Sequence, residues 1–333
     1  MTKRVTALTA AVIGMLLVFA QIAFPLLDLF HTWQYALGLT LVLAVLIGYI
    51  APALGGDDGI IGKRLCVAMC GALVIVLAGL VSGLLGPDTN RIVHAPGTVA
   101  PLPDLGGAAF FPNADATTIA NGRSMVVFRR MRHRDMIVDS AAPKFLVSES
   151  VMLLQQPHPA AYLEATDSAA NHLTITQPSG AAFLSPVLLF RDSQAIAGAE
   201  HPVDGFALPA LGRSLKAVYF SAAETAQLHV APEQRGKPAV LYALEERGGT
   251  PGTIAFASNG QTVALAGIRL HATLGTYPQL VVASCPHPYA LVLGLLLFFA
   301  GIGWALAART TVQNVVTLEK VNRSKRPAGT TIS

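Results

Sequence analysis

Nine histidines are the side chains of this sequence with the widest range of chemistry, because imidazole titrates near neutral pH and ligates metal ions. Three of them lie beside long apolar segments: His31, His94 and His287. If those segments span a membrane, the three imidazoles are expected near one membrane interface. They would then be placed to ligate haem iron, for which proteins use axial histidine. The alternative is that each is an amphipathic interfacial residue, like the neighbouring Trp33 and Tyr289.

The other six histidines and the three cysteines give weaker indications of a functional site. His133 lies in the basic run 129–134, which is expected on a solvated face or beside a lipid or propionate group. Cys66 and Cys70 are four residues apart and would share one helix face, while Cys285 is far along the chain. With no second cysteine pair or histidine nearby, packing is favoured over a redox or metal site. The remaining five histidines are expected either at the surface or hydrogen-bonded in a core: His158, His172, His201, His229 and His271.

Motifs of common catalytic sites are missing from the sequence. It contains no phosphate-binding P-loop, no glycine-rich dinucleotide fingerprint, no HExxH zinc motif, no CxxC pair and no GxSxG nucleophile elbow. We therefore predict that the protein is not an enzyme and has no dedicated metal site.

Four long segments without Asp, Glu, Lys or Arg define the elements that must position these side chains. Each is long enough to cross a hydrocarbon core, which needs about 20 helical residues. The whole chain is 53% hydrophobic and only 13% charged, which excludes an ordinary soluble domain. We predict an integral membrane α-helical protein with four transmembrane helices, the first of them uncleaved. The segments are 5–27, 33–54, 65–86 and 288–308.

Residues 87–287 have a different pattern. Short apolar or alternating runs are separated by Gly, Pro, Asn and Asp, which is typical of strands and turns. Asn259-Gly260 predicts a type I′ hairpin, and a short helix is expected within residues 221–232, which include Ala222, Ala223, Glu224 and Leu228. The sequence thus predicts a large, mostly-β periplasmic domain inserted between helices 3 and 4, built as a sandwich or an irregular barrel. The predicted strands are 124–129, 145–154, 172–176, 182–190, 215–220, 240–244, 253–257, 262–274 and 280–282.

The basic residues near the spans predict the orientation. Nine Lys and Arg lie before the first segment, between the second and third, or after the fourth, whereas the link 28–32 has none. By the positive-inside rule, both termini are cytoplasmic, residues 309–333 form a basic cytoplasmic tail, and the protein is a multi-pass protein of the bacterial inner (plasma) membrane. The 87–287 domain has 14 Lys and Arg against 15 Asp and Glu, so a nucleic-acid partner is not expected. The tail would instead face the anionic lipid bilayer.

Small residues in the apolar segments predict close helix packing, because glycine lets two backbones approach. Gly79 and Gly83 form a G-x-x-x-G pair in the third segment. Other candidate contact glycines are Gly14, Gly38, Gly48, Gly71, Gly294, Gly301 and Gly303.

The order of three helices, a β-rich domain and one closing helix resembles the ResB family of cytochrome c biogenesis proteins. Local resemblance lies in three stretches. Phe128 with residues 142–151 resembles the family's strand pair, and 172–180 with Phe183 and Ser185 resemble its short strand, Pro turn and following strand. Residues 280–294 with Gly301 resemble its entry to the final helix.

This resemblance implies a membrane component of cytochrome c maturation of the System II type. Such a protein supports haem delivery or apocytochrome handling at the periplasmic face. The implied partners are a haem-channelling membrane protein and apocytochrome c, and the implied cofactor is haem. The resemblance supplies no site for haem, so His31, His94 and His287 are candidates through their place beside the apolar segments alone. The alternative is a membrane-anchored structural or assembly subunit of another envelope complex, without a haem role.

Overall fold

The computed structural model describes most of the chain. Three features named above lie outside the described residues: His133, His229, and the stretch 177–185 that includes the start of a predicted strand. The end of the tail, 325–333, also lies outside. The described residues are 2–27, 29–55, 60–130, 134–139, 141–176, 186–196, 198–228, 231–245 and 251–324.

Six helices and fifteen strands occur within the described ranges. The helices are α1 (Thr2–Ala23), α2 (Trp33–Gly55), α3 (Ile60–Leu85), α4 (Ala116–Asn121), α5 (Ala222–Gln227) and α6 (Pro288–Ser324). The strands are β1 (Asn90–Ile92), β2 (Val99–Leu102), β3 (Gly107–Phe110), β4 (Val126–Arg130), β5 (Met136–Val138), β6 (Lys144–Leu146), β7 (Val151–Thr166), β8 (Val187–Leu188), β9 (Asp192–Ile196), β10 (Ala199–Leu208), β11 (Arg213–Phe220), β12 (Ala239–Glu245), β13 (Pro251–Ser258), β14 (Thr262–Leu265) and β15 (Ile268–Ser284).

Four of the helices are long and apolar enough to cross a membrane, as predicted: α1, α2, α3 and α6. The protein is therefore a multi-pass membrane protein with four candidate spans. α1 ends at Ala23, earlier than predicted, because Pro25 cannot continue the helix and instead opens a short 3-10 turn. α6 continues past the apolar segment to Ser324, so the start of the predicted tail is helical.

Glycines bring α3 and α6 into backbone contact. A Cβ on Gly71 would overlap the Gly294 carbonyl oxygen and the Phe298 backbone nitrogen, and one on Gly301 would overlap the backbone of Ala68. This close approach is the packing expected of small residues in membrane helices. On the other side of α3, Gly79 faces the first two helices, with Val18 and Leu39 among its neighbours. Gly48 and Gly303 have no such neighbour within 4 Å.

Three antiparallel sheets lie between α3 and α6 in the chain. The first has the order β1-β15-β7-β6, with β14 also paired to β15 and β8 to β7. The second has the order β13-β12-β11-β10-β9, and the third β2-β3-β4-β5. Residues 172–176, predicted as a strand, make only isolated bridges at His172 and Thr176. The predicted strand 145–154 is broken by a turn at Ser150, whose φ is 52°.

The prediction of a hairpin at Asn259-Gly260 is wrong. These residues do turn, but they connect β13 of the second sheet to β14 of the first. The two-residue hairpin is instead Ala266-Gly267, which joins β14 to β15 with φ values of 50° and 83°. Positive φ at both central residues is typical of the type I′ turn, which favours Asn-Gly. Because the first central residue is alanine, the sequence did not indicate this turn.

The chain forms two compact units. The helical unit comprises Met1–Asn90, Phe145–Met152 and Ala283–Ser333. The β unit comprises Arg91–Lys144 and Leu153–Val282. Alternating apolar side chains of its strands form the main core of the β unit, among them Phe206, Leu215, Tyr242, Leu270 and Leu274.

Candidate functional site

The helical unit contains a groove along one face of α3. Its apolar wall consists of five α3 side chains, spaced so that a helix presents them together. Its other end is polar and includes Glu149, Ser150, Ser284 and His287. The groove has a volume of about 490 Å³, and we call it the α3 groove. The five side chains are Val74, Leu77, Ala78, Val81 and Leu85.

Hydrogen bonds fix the polar end of the α3 groove. The hydroxyl oxygens of Ser82 and Ser284 are 2.8 Å apart, and the Ser284 hydroxyl also donates to the Ser82 carbonyl oxygen at 3.0 Å. The Cys285 backbone N–H donates to the Ser150 carbonyl oxygen at 2.9 Å. Both serines of the pair are buried, so these hydrogen bonds satisfy hydroxyl groups that water does not reach. The backbone at this end is therefore tied to the end of α3.

Cys285 is a buried thiol beside the groove, packed with Met152 and Ala283. Burial raises the pKa of Cys285 to about 11. Because the thiolate is the reactive form, we expect this thiol to stay protonated and unreactive at neutral pH.

His31 and His287 also belong to the helical unit. The Nε2 atom of His31 lies 3.9 Å from a carboxylate oxygen of Asp88, whose side chain is almost fully exposed. The His287 side chain is exposed, and its ring centroid is 5.3 Å from that of Tyr289. The contact between the His287 and Tyr289 rings is what the amphipathic interpretation expects of an interfacial histidine.

His94 lies in the β unit in a more defined setting. The Thr98 hydroxyl donates its one hydrogen to the Ala95 carbonyl oxygen at 2.5 Å, so at 2.5 Å from His94 it must accept from Nδ1–H. The neutral ring then has its lone pair on Nε2. Burial, and next the Arg191 guanidinium, lower the pKa of His94. The ring also lies 5.9 Å from that of Phe111, between centroids.

The three histidines thus occupy separate surroundings, one in the β unit and two in the helical unit, and their shared interface stays a prediction. Within the described ranges, no group of three or more His, Cys, Asp or Glu side chains is arranged to hold a metal ion. Cys66 and Cys70 remain unbridged, and Cys66 is buried among helix residues, in line with a packing role.

The β unit contains two buried polar clusters whose pairings had no signal in the sequence. Asp204 accepts backbone N–H groups of Leu189 at 2.8 Å and Gly205 at 2.9 Å, while burial raises its pKa. His158 contacts the Leu189 carbonyl oxygen at 2.6 Å, and burial lowers its pKa. Together they hold the segment that leads to Phe190, which has a positive φ of 46°. Their partners are distant in sequence, so only the fold brings them together.

A second cluster joins a buried imidazole to the start of α5. The Nδ1 atom of His201 lies 3.2 Å from Glu224 Oε1, and the His201 ring packs on Phe220 with centroids 4.7 Å apart. Glu224 also accepts the backbone N–H of Ser221 at 2.6 Å, completing a capping box. Sequence inspection did predict the short helix here, and α5 confirms it.

Comparison with known proteins finds no match: no family model, no curated protein and no solved structure is similar to this chain.

Proposed function

We propose that the protein is a non-enzymatic membrane component of cytochrome c maturation of the System II type, in the inner membrane of a bacterium. In this proposal the four helices dock on a haem-channelling partner. The β region lies in the periplasm and supports haem delivery or holds apocytochrome c.

The order of elements supports this proposal. Three apolar helices precede the β region and a fourth follows it, as in the family that the sequence resembles. α6 offers a broad apolar face for a partner helix, because Val292, Leu296, Phe299 and Trp304 are each more than half exposed.

His94 is the observation that carries the haem part of the proposal. Its Nδ1–H is bonded to Thr98 and its pKa is lowered, so at neutral pH the ring is uncharged with its lone pair on Nε2. This is the tautomer that an axial haem ligand needs, with the second nitrogen oriented by a hydrogen bond. His94 would hold the iron, and Phe111 would offer an aromatic neighbour. The redox and ligand chemistry would be the haem's own.

The proposal is tested by haem titration of the purified protein, followed by its Soret band. We expect haem binding in the wild-type protein and a loss of about tenfold or more in affinity in His94→Ala. The matched control is His271→Ala, because His271 also bonds a threonine through Nδ1, at 3.2 Å from Thr262, but this bond is exposed to solvent. Equal affinity of the two variants would remove His94 from the proposal.

The cellular test is deletion of the gene. We expect loss of c-type cytochromes, restored by the wild-type gene. Normal c-type cytochromes in the deletion strain would reject the maturation role and favour an assembly subunit of another envelope complex.

A further inference from the structure

We infer that the α3 groove binds one hydrocarbon chain of a membrane lipid whose head group bears a primary amine. This inference is independent of the proposed function, since it requires neither haem nor a protein partner.

The position of the groove matches an amphiphile. Its α3 wall belongs to the candidate span Gly62–Leu85, and Ala290 belongs to the span Pro288–Ala308. The polar residues are gathered at the end where α3 finishes and α6 begins. The apolar part therefore lies at the depth of lipid chains, and the polar part lies at the depth of head groups.

The dimensions suit a single hydrocarbon chain. The α3 wall from Val74 to Leu85 is about 17 Å long at 1.5 Å per residue. The groove's volume of about 490 Å³ is in the usual range for a small-molecule pocket. A methylene chain is only about 4–5 Å thick, since carbon atoms contact at 3.5–4.0 Å, so one chain can lie along this wall.

The charge at the polar end selects the head group. Glu149 is the one Asp, Glu, Lys or Arg side chain among the described residues that line the groove. It accepts a hydrogen bond from the Ser148 hydroxyl at 2.6 Å and is half-buried. A carboxylate at the rim attracts an ammonium group and disfavours an anionic head group that lacks one. Phosphatidylethanolamine has the required chemistry, and phosphatidylglycerol does not.

The polar end is also rigid enough to be a site. Ser150 holds a left-handed φ of 52°, and its carbonyl oxygen is bound by the Cys285 N–H. The neighbouring Ser82–Ser284 pair fixes the strand end against α3. The head-group end is thus organised before any lipid arrives, which lowers the entropy lost on binding.

The first experiment measures retained lipid by native mass spectrometry of the full-length protein from membranes containing both lipids. Val81→Trp and Leu77→Trp would fill the groove, and each replaces a side chain that is nearly half exposed, at 45% and 46%. The matched control is Val45→Trp, at a 39% exposed position on α2. We expect wild type and V45W to retain phosphatidylethanolamine and the two groove variants to retain about tenfold less. Retention by the groove variants equal to that of V45W would overturn the site.

The second experiment tests the head group. Glu149→Gln should reduce the preference for phosphatidylethanolamine over phosphatidylglycerol by about threefold or more, whereas Glu200→Gln at an exposed position of β10 should not. No preference in the wild-type protein would overturn the amine assignment.

A third measurement needs no variant. Phosphatidylethanolamine with a photoreactive diazirine in its chain should label residues 74–85 in preference to the exposed α2 side chains of Leu41, Val45 and Ile47. Even labelling of the two helices would overturn the proposal. So would a co-purifying protein chain crosslinked at Val81 in place of lipid.

Discussion

Ala266 holds a backbone conformation that an L-residue with a Cβ seldom adopts. Its φ of 50° is imposed by the two-residue turn between β14 and β15, where its carbonyl oxygen also accepts a hydrogen bond from Arg213 at 2.6 Å. Left-handed backbone costs most residues about 1–2 kcal/mol, and asparagine tolerates it better than alanine.

Ala266→Asn should therefore stabilise the protein. We expect the free energy of unfolding to rise by about 1 kcal/mol, measured by thermal unfolding in detergent. Ala264→Asn, two residues earlier on an exposed position of β14, is the control and should be neutral or destabilising. Equal effects of the two changes would mean that the turn conformation is not the cause.

Single residues were the level at which the sequence predicted least. It marked His94 by its place beside an apolar segment, but the bond to Thr98 that fixes its tautomer depends on the turn that follows it. The pairing of Asp204 with the Leu189 N–H joins residues that no local pattern connects. Hydrogen-bond partners are set by tertiary structure, which a pattern of residue types does not encode.

At the scale of the element, α5 is a six-residue helix that depends on its cap. The Ser221 hydroxyl accepts the backbone N–H of Glu224 at 3.3 Å, and the Glu224 carboxylate accepts that of Ser221 at 2.6 Å. So short a helix has few internal hydrogen bonds, and its first turn is held by these two.

Ser221→Ala should lower the free energy of unfolding by about 1 kcal/mol, because it leaves a helix N–H without its acceptor. Thermal unfolding measures the change. Ser193→Ala, on an exposed position of β9, should be nearly silent. A silent S221A would show that water replaces the cap at no cost.

The same cap predicts a pH dependence. Burial raises the pKa of Glu224, but the bonds from Ser221 and the His201 ring outweigh it, and the net pKa is lowered. A carboxyl with a lowered folded pKa stabilises the fold above its unfolded pKa of about 4.5 and loses that contribution as pH falls through the folded pKa. We therefore expect the melting temperatures of wild type and Glu224→Gln to differ at neutral pH and to converge as the pH falls below about 4.5. A difference independent of pH would contradict this.

Element types were predicted better than element ends. Strand and helix composition sufficed to predict α5 and the strands near β11, β12 and β13. It did not predict that β7 extends through Pro157 and Pro159 to Thr166, because proline is a strand breaker unless its position needs no donor. The hairpin at Ala266 was missed because its residue type contradicts its conformation.

At the scale of the whole molecule, the four spans were predictable because uninterrupted apolar length is a physical requirement of crossing a bilayer. The contact between α3 and α6 was not, because Gly71 and Gly294 are more than 200 residues apart. The G-x-x-x-G pattern indicated another face of α3, where Gly79 meets the first two helices.

Gly301→Ala and Gly303→Ala form a matched pair on α6. The Gly301 change would place a methyl group on the Ala68 backbone and should lower the free energy of unfolding by about 1–3 kcal/mol. The Gly303 change meets no atom within 4 Å and should be neutral or stabilising by up to about 1 kcal/mol. Thermal unfolding in detergent compares them, and equal destabilisation would contradict the backbone contact.

The face of α3 that packs on α6 through Gly71 has a consequence for biosynthesis. Its partner helix is made only after a further 200 or so residues have left the ribosome. At 5–20 residues per second, α3 waits in the membrane for about 10–40 s before α6 exists. During that delay the uncovered Gly71 face can pack against a non-native helix. An insertase or chaperone that shields α3 would therefore raise the yield of correctly assembled protein.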